Sequence, residues 1–192
     1  MLKIWQKKQI LNYKEKYKEI IDIVQFGSSV IETKEPNDID IAIFFEKIQI
    51  KEQLLVAQKI KTDMQKYSKV ILHVKSFDFY SFFDKGNFAR EGILFYGKSL
   101  LTNDYFAKTF RLIPRIQIYY SFENLEKKEK VRFHYMLKGK KNNSGLLNKY
   151  RGVLLKPGLI EINPEHEKVF LDKIKEFSIR LFIKKVLIEI KE

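Results

Sequence analysis

No cysteine occurs in the 192 residues, which excludes disulfides and thiolate zinc sites and fits a reducing cytosol. Long apolar runs are missing as well. None approaches the length of a membrane span, and the opening MLKIWQKKQILNYKEKYKEI is too charged for a signal-peptide core. There is no internal repeat and no low-complexity linker. These absences lead to the expectation of a soluble, cytoplasmic protein without a membrane partner. Hydrophobic residues make up 45% and charged residues 32% of the chain, a balance that suits a globular fold with one good core or two small domains.

The charge is one-sided, with a formal net of +13. Residues 1–101 carry 17 Lys and Arg against 13 Asp and Glu, whereas residues 102–192 carry 20 against 11. The second half is therefore the part expected to meet a polyanion such as nucleic acid. A lysine- and isoleucine-rich chain can equally reflect genome composition or a hot habitat.

Residues 6–22 place Ile10, Leu11, Tyr13, Tyr17, Ile20 and Ile21 at helical spacing, and Ile23 to Phe26 follow as a short buried strand ending at Gly27. The apolar run Ile41 to Phe45 reads as a second strand. The spacing of Leu54, Leu55, Ala57, Ile60 and Met64 predicts a helix over 50–67, and Val70 to Val74 a third strand. A short helix is expected over 82–92, then a short strand and turn in GILFYGKSL. A composition shift near 97–104 sets the expected boundary, giving domains 1–101 and 102–192.

Beyond it, RLIPRIQIY is interrupted by Pro114 and reads as an edge strand at most. A lysine-rich helix over 122–138 is expected to end at Gly139, followed by a polar loop, a short helix in GLLNKYR, and a hairpin in VLLKPGLIEI. Asn163-Pro164-Glu165 has the form of a helix start, with Asn163 as cap, and IRLFIKKVLIEI closes the chain as a strand. The expected class is α+β: a small mixed sheet with helices, then a second basic α+β domain whose helix, loop, helix and hairpin order also suits a winged helix. Lys138, Lys140, Lys141, Lys149, Arg151 and Lys156 fall in or beside that loop, short helix and hairpin tip. They are candidates for phosphate contact, or for an ordinary solvated face.

The chemistry concentrates in VQFGSSVIETKEPNDIDIAIFF, residues 24–45. Residues two apart in a strand share a face, so Asp38 and Asp40 would project together at the head of the second strand. Paired carboxylates repel unless a cation neutralises them, and hard oxygen ligands with no cysteine or histidine nearby in the sequence favour Mg²⁺ or Mn²⁺ over zinc. A surface turn after Pro36-Asn37 is the plainer reading of the same residues. Gly27 lets a phosphate approach the main chain, and a helix starting at Ser28 would add free N–H groups and hydroxyls from Ser28 and Ser29.

Gly27-Ser28 followed by Asp38-Ile39-Asp40, flanked by IVQF and IAIFF, resembles the signature of the DNA polymerase beta-like nucleotidyltransferase superfamily in its minimal form, over about residues 10–101. The resemblance implies a small mixed sheet with helices on one side. It also implies nucleoside triphosphate phosphates at Gly27 and Ser28, and Mg²⁺ held by Asp38 and Asp40. Active relatives usually take a third carboxylate from a later strand. The matching strand here carries His73 in that place, and the nearest acid is Asp78. Either is a candidate base or ligand, and otherwise the domain binds nucleotide without turnover.

The leading expectation is transfer of a nucleoside monophosphate from an NTP to a hydroxyl of a protein, RNA or small-molecule acceptor. Some minimal relatives are antitoxins that adenylylate a partner toxin, which makes a protein acceptor natural by analogy. The alternatives are a degenerate fold serving as a nucleotide- or nucleic-acid-binding module, and a partner-binding protein whose second half packs on another chain.

Overall fold

A computed structural model describes residues 4–31, 36–123, 125–140 and 143–190. The chain divides into two compact units, Met1–Arg111 and Leu112–Glu192.

The first unit opens with α1 (Ile4–Lys16), after which β1 takes Ile20–Phe26. The helix expected through residue 22 stops earlier. The β-branched run Ile20-Ile21-Asp22-Ile23-Val24 gains more as a strand, with Ile20, Ile23 and Val24 fully buried. Then follow α2 (Ser28–Ile31), β2 (Asp38–Phe45), α3 (Ile50–Gln65), β3 (Ile71–Phe77), α4 (Phe79–Phe83), α5 (Ala89–Tyr96), β4 (Lys98–Ser99) and a 3₁₀ turn over Phe106–Phe110. The sheet order is β3-β2-β1-β4. β2 pairs antiparallel with β1 and parallel with β3, so the sheet is mixed.

Alternation along β2 sends Ile39, Ile41, Ile43 and Phe45 to one face and Asp38, Asp40, Ala42 and Phe44 to the other. The first face packs under α1, through Ile10 and Tyr13, and under α3, through Ala57, Ile60 and Met64. α3 is rotated from its expected orientation. Gln53 is 3% exposed and donates to the Ile48 carbonyl at 3.2 Å, whereas Leu54 and Leu55 are 57% and 72% exposed. The second face is covered over its far half by Phe82 of α4, Ile93 of α5 and Phe106, which pack with Val24, Phe26, Phe44 and Phe77. Phe44 and Phe106 stack with ring centroids 4.2 Å apart. Both faces of the sheet therefore carry helices, and residues 102–111 belong with the first unit because Phe106 closes its core. The single helix expected over 82–92 is broken at Asp84–Asn87, where Asp84 accepts from the Gly86 amide at 2.7 Å in a tight turn.

The second unit contains β5 (Leu112–Ser121), α6 (Lys127–Lys138), the two-residue strands β6 (Gly139–Lys140) and β7 (Asn143–Ser144), α7 (Leu146–Lys149), β8 (Val153–Lys156), β9 (Leu159–Ile162), a 3₁₀ turn over Pro164–His166, α8 (Glu167–Ile174) and β10 (Arg180–Glu189). Its main sheet, antiparallel throughout, has the order β10-β5-β9-β8. β5 is thus an interior strand rather than an edge. Pro114 is tolerated because β9 pairs only with Ile116 to Tyr119, leaving Pro114 opposite Leu187 of β10 with a free edge on its other side.

The helix, loop, helix, hairpin order is present, but α7 is a single turn of 4 residues and the hairpin is an integral part of the sheet. The unit is a sheet covered on one face by helices rather than a winged helix. Phe133, Leu137, Leu147, Phe170, Ile174 and Phe177 supply that cover, over Ile116, Ile118, Ile160 and Ile162. Asn163 does not cap the following helix; its carboxamide oxygen accepts from Arg115.

Candidate active site

The uncovered half of the second face of the first sheet holds the polar residues. β2 begins at Asp38, and both Asp38 and Asp40 are partly exposed before the strand becomes fully buried from Ile41 onward. In the parallel ladder Asp40 stands opposite His73, and Asp38 opposite Ile71. On the other side Asp40 stands opposite Phe26, the last residue of β1. Asp38, Asp40 and His73 therefore share one face, with His73 Nε2 3.6 Å from Asp38 Oδ2. Lys75, two residues on and opposite Ala42, follows them on that face.

Gly27 sits at the turn from β1 into α2 with φ of +77°. A Cβ there would run into Asp40 Oδ2. Both the backbone angle and the close approach of the carboxylate thus require glycine. α2 starts at the next residue; Val30 N–H donates to the Gly27 carbonyl at 3.3 Å. Ser29 Oγ donates to the Phe26 carbonyl at 3.2 Å and accepts from Gln25 Nε2 at 3.0 Å, which ties the turn to the strand. Ser28 stays exposed.

Electrostatics mark Asp40 as the strained member of the pair. Its carboxyl titrates above the usual carboxylate range, first because it is partly withdrawn from water and then because Asp38 lies beside it. His73 and Lys75 offset part of this. Such a site favours a cation.

Asp78 is not brought to the pair. It lies just beyond β3, five residues from His73, a separation of about 16 Å along an extended strand. There it caps α4: its carboxylate accepts from the Ser81 amide at 2.7 Å, from Ser81 Oγ at 2.8 Å and from Gln53 Nε2 at 3.3 Å. The amide and hydroxyl of Ser81 hold its pKa below the ordinary value. The capping box that the Asp-Phe-Tyr-Ser spacing allows is the signal that separates it from a catalytic acid. Lys75 falls outside the strand that the apolar run Val70 to Val74 predicts; the strand runs to Phe77 and carries it onto this face.

Among the described residues, no group of three or more His, Cys, Asp or Glu side chains is placed to hold a metal ion by itself. Mg²⁺ is ordinarily bound through one or two carboxylates plus phosphate oxygens and water. The donors Asp38 and Asp40, on one face and under mutual repulsion, fit such an ion.

In the second unit Lys138, Lys140, Lys149, Arg151 and Lys156 are all exposed. Lys138 and Lys140 lie at the end of α6 and in β6, Lys149 ends α7, and Arg151 lies in the turn that follows it. Two of the lysines rest over tyrosines: Lys140 over Tyr135 at 5.1 Å and Lys149 over Tyr150 at 5.3 Å. Lys141 lies outside the described residues. None of the described helices is long and apolar enough to cross a membrane.

No protein-family model and no curated protein sequence matches the chain. Among solved structures it is similar in part to a mutant of the toxin–antitoxin complex MntA-HpeT, with 20% identity over 49% of this chain and 71% of that one, at a TM-score of 0.36. It is also similar to a chain in the complex of tri-AMPylated Shewanella oneidensis HEPN toxin with MNT antitoxin (19% identity, 50% and 69% coverage, TM-score 0.34). A third is a toxin–antitoxin structure with AMP-PNP (18% identity, 49% and 71% coverage, TM-score 0.35). Likeness this loose carries no assignment, and the functional reading rests on the site itself.

Proposed function

We propose that the first unit is a Mg²⁺-dependent nucleotidyltransferase that moves a nucleoside monophosphate from an NTP to a hydroxyl of an acceptor. The observation that carries this is the juxtaposition at Gly27: a glycine at positive φ, at the mouth of a helix, pressed against one of two carboxylates that share a strand face. A phosphate-approach point and a divalent-ion site side by side are what phosphoryl chemistry on a nucleotide needs.

In this reading the turn at Gly27, Ser28 and Ser29 receives the triphosphate, and Asp38 and Asp40 hold Mg²⁺. The ion would supply charge stabilisation at the phosphate oxygens. The acceptor hydroxyl attacks the α-phosphorus, the bond from that phosphorus to the bridging oxygen breaks, and pyrophosphate leaves with the electron pair. His73, opposite Asp40 in the ladder and with Nε2 3.6 Å from Asp38 Oδ2, would take the hydroxyl proton, imidazole being a common general base. The acceptor is a protein, RNA or small molecule that bears a hydroxyl. A protein acceptor is favoured by the minimal-family resemblance.

One observation favours a second reading, a fold that binds nucleotide without turnover and acts through a partner: the β3 position opposite Asp40 is a histidine, and Asp78 is committed to capping. Incubation with α-labelled NTP, Mg²⁺ and candidate acceptors separates the two. Label transfer that is lost in Asp38→Asn/Asp40→Asn supports the enzyme. Transfer that persists unchanged in the double variant refutes the site, and Mg²⁺-dependent binding without transfer selects the second reading.

A further inference from the structure

The helices of the second unit all pack on one face of its sheet, and the register defines what the opposite face presents. Ile116, Ile118, Ile160 and Ile162 point to the helices, so their neighbours Arg115, Gln117, Tyr119 and Glu161 point away. Pairing extends this outer face across four strands. Phe182 stands opposite Tyr119, Tyr119 opposite Leu159, and Leu159 opposite Lys156. One pair further along, Lys184 stands opposite Gln117, and on the other side Arg180 stands opposite Ser121.

Towards one edge of this face two rings lie on adjacent strands, Phe182 on edge strand β10 and Tyr119 on β5. Tyr119 and Phe182 have centroids 5.7 Å apart, and Phe182 is 64% exposed. Arg180 and Lys184 flank Phe182 on its own strand, and Lys156 lies across the sheet from it. Among the described residues neither Lys184 nor Lys156 forms an ion pair, whereas Arg180 is held by Glu123 at 3.1 Å and Arg115 by Glu161 at 3.8 Å. Residues 112–192 carry 18 Lys and Arg against 10 Asp and Glu, a net of +8.

We propose that this open sheet face binds single-stranded RNA, with bases stacked on Phe182 and Tyr119 and the backbone tracked by Lys184, Lys156 and Arg180. An antiparallel sheet face with exposed Phe182 beside half-buried Tyr119 offers a splayed base a platform, and the flanking cations match a phosphate chain. Stacking on a ring needs an unpaired base, which is why the strand is single. Ser121, two residues from Tyr119 on the same face and opposite Arg180, offers a hydroxyl oxygen to the 2′-hydroxyl donor that deoxyribose lacks. This surface belongs to the second unit, and binding there does not depend on the residues of the Asp38 site.

The test is fluorescence anisotropy of the full chain with a labelled single-stranded oligouridylate, with the matching DNA strand and an RNA duplex as parallel arms. Binding is expected at low salt and falls steeply as salt rises. Phe182→Ala weakens it by about 5- to 150-fold, the range expected for loss of one stacked base, and Phe182→Tyr restores it. Lys184→Glu flattens the logarithmic salt dependence by about 0.7 or more. Because Phe182 is exposed, its truncation leaves the fold intact, which a melting curve verifies. Absence of binding, equal affinity of wild type and Phe182→Ala, or binding of the duplex or of DNA as tight as that of RNA overturns the proposal.

Discussion

The contact between Gly27 and Asp40 can be measured as a coupling. Replacing Gly27 by alanine does two separable things. It places an L residue at φ of +77°, which costs about 1–2 kcal/mol. It also drives a methyl group into Asp40 Oδ2, while Asp40 Cβ stays at an ordinary 3.4 Å. The backbone cost is present whatever residue 40 is. The steric cost is present only while the carboxylate is there. Gly27→Ala in the Asp40→Ala background should therefore lose only the backbone part, whereas in the wild type it loses more. Interaction energies between contacting residues run about 0.5–3 kcal/mol, and a value in that range is expected. Urea unfolding of the four proteins gives it directly. Mg²⁺-dependent NTP binding, followed in parallel, should fall for Gly27→Ala, since Asp40 must move aside. A coupling within error of zero, together with unimpaired nucleotide binding by Gly27→Ala, would refute the reasoning.

Two further outcomes follow from the surroundings of other acids. Asp22 is buried, accepts from Ser99 Oγ at 2.8 Å and from the Ile23 amide at 2.7 Å, and burial outweighs these bonds and the Lys14 charge to raise its pKa from 3.8 to about 6. The fold thus binds an extra proton between about pH 4 and 6, so stability falls as pH rises through that window and stays lowered above it. At 1.36 kcal/mol per unit, the cost at pH 7 is about 3 kcal/mol. Asp22→Asn keeps the oxygen that accepts both bonds and should exceed the wild type in stability at pH 7, with the advantage vanishing below about pH 4; a pH-independent difference contradicts this. Asp78→Ala should cost about 1 kcal/mol through loss of the α4 cap while leaving nucleotide affinity and transfer unchanged. A variant that folds normally and loses transfer would make Asp78 part of the site.

Much of this architecture was legible because local rules and the fold agree. Asp38 heads β2, Gly139 ends α6 at φ of +90°, and Gly158 turns the β8–β9 hairpin at φ of +83°, each where the residue pattern places it. The misreadings share a cause: the pattern was overruled by contacts distant in sequence. Ile20 and Ile21 fit a helical period, yet pairing with β2 draws them into a strand. Leu54 and Leu55 fit the apolar face of α3, yet Gln53 is buried, where it reaches the Ile48 carbonyl and Asp78. Pro114 forbids one ladder bond, and β9 is simply too short to ask for it. At the site, the strand period brought the two aspartates to one face, but only the parallel register of β3 could place His73 opposite Asp40 and leave Asp78 out of reach. The outer face of the second sheet was invisible until the pairing of four strands fixed which aromatics share it.

The central claim is that Asp38 and Asp40 hold a divalent ion that meets a nucleotide at Gly27. Isothermal titration of a non-hydrolysable NTP into the wild type and into Asp38→Asn/Asp40→Asn, with Mg²⁺ and with chelator, tests it most directly. The account predicts binding that requires Mg²⁺ in the wild type and is lost or made metal-independent in the double variant. Nucleotide binding of equal affinity and equal Mg²⁺ dependence in the two proteins would contradict it.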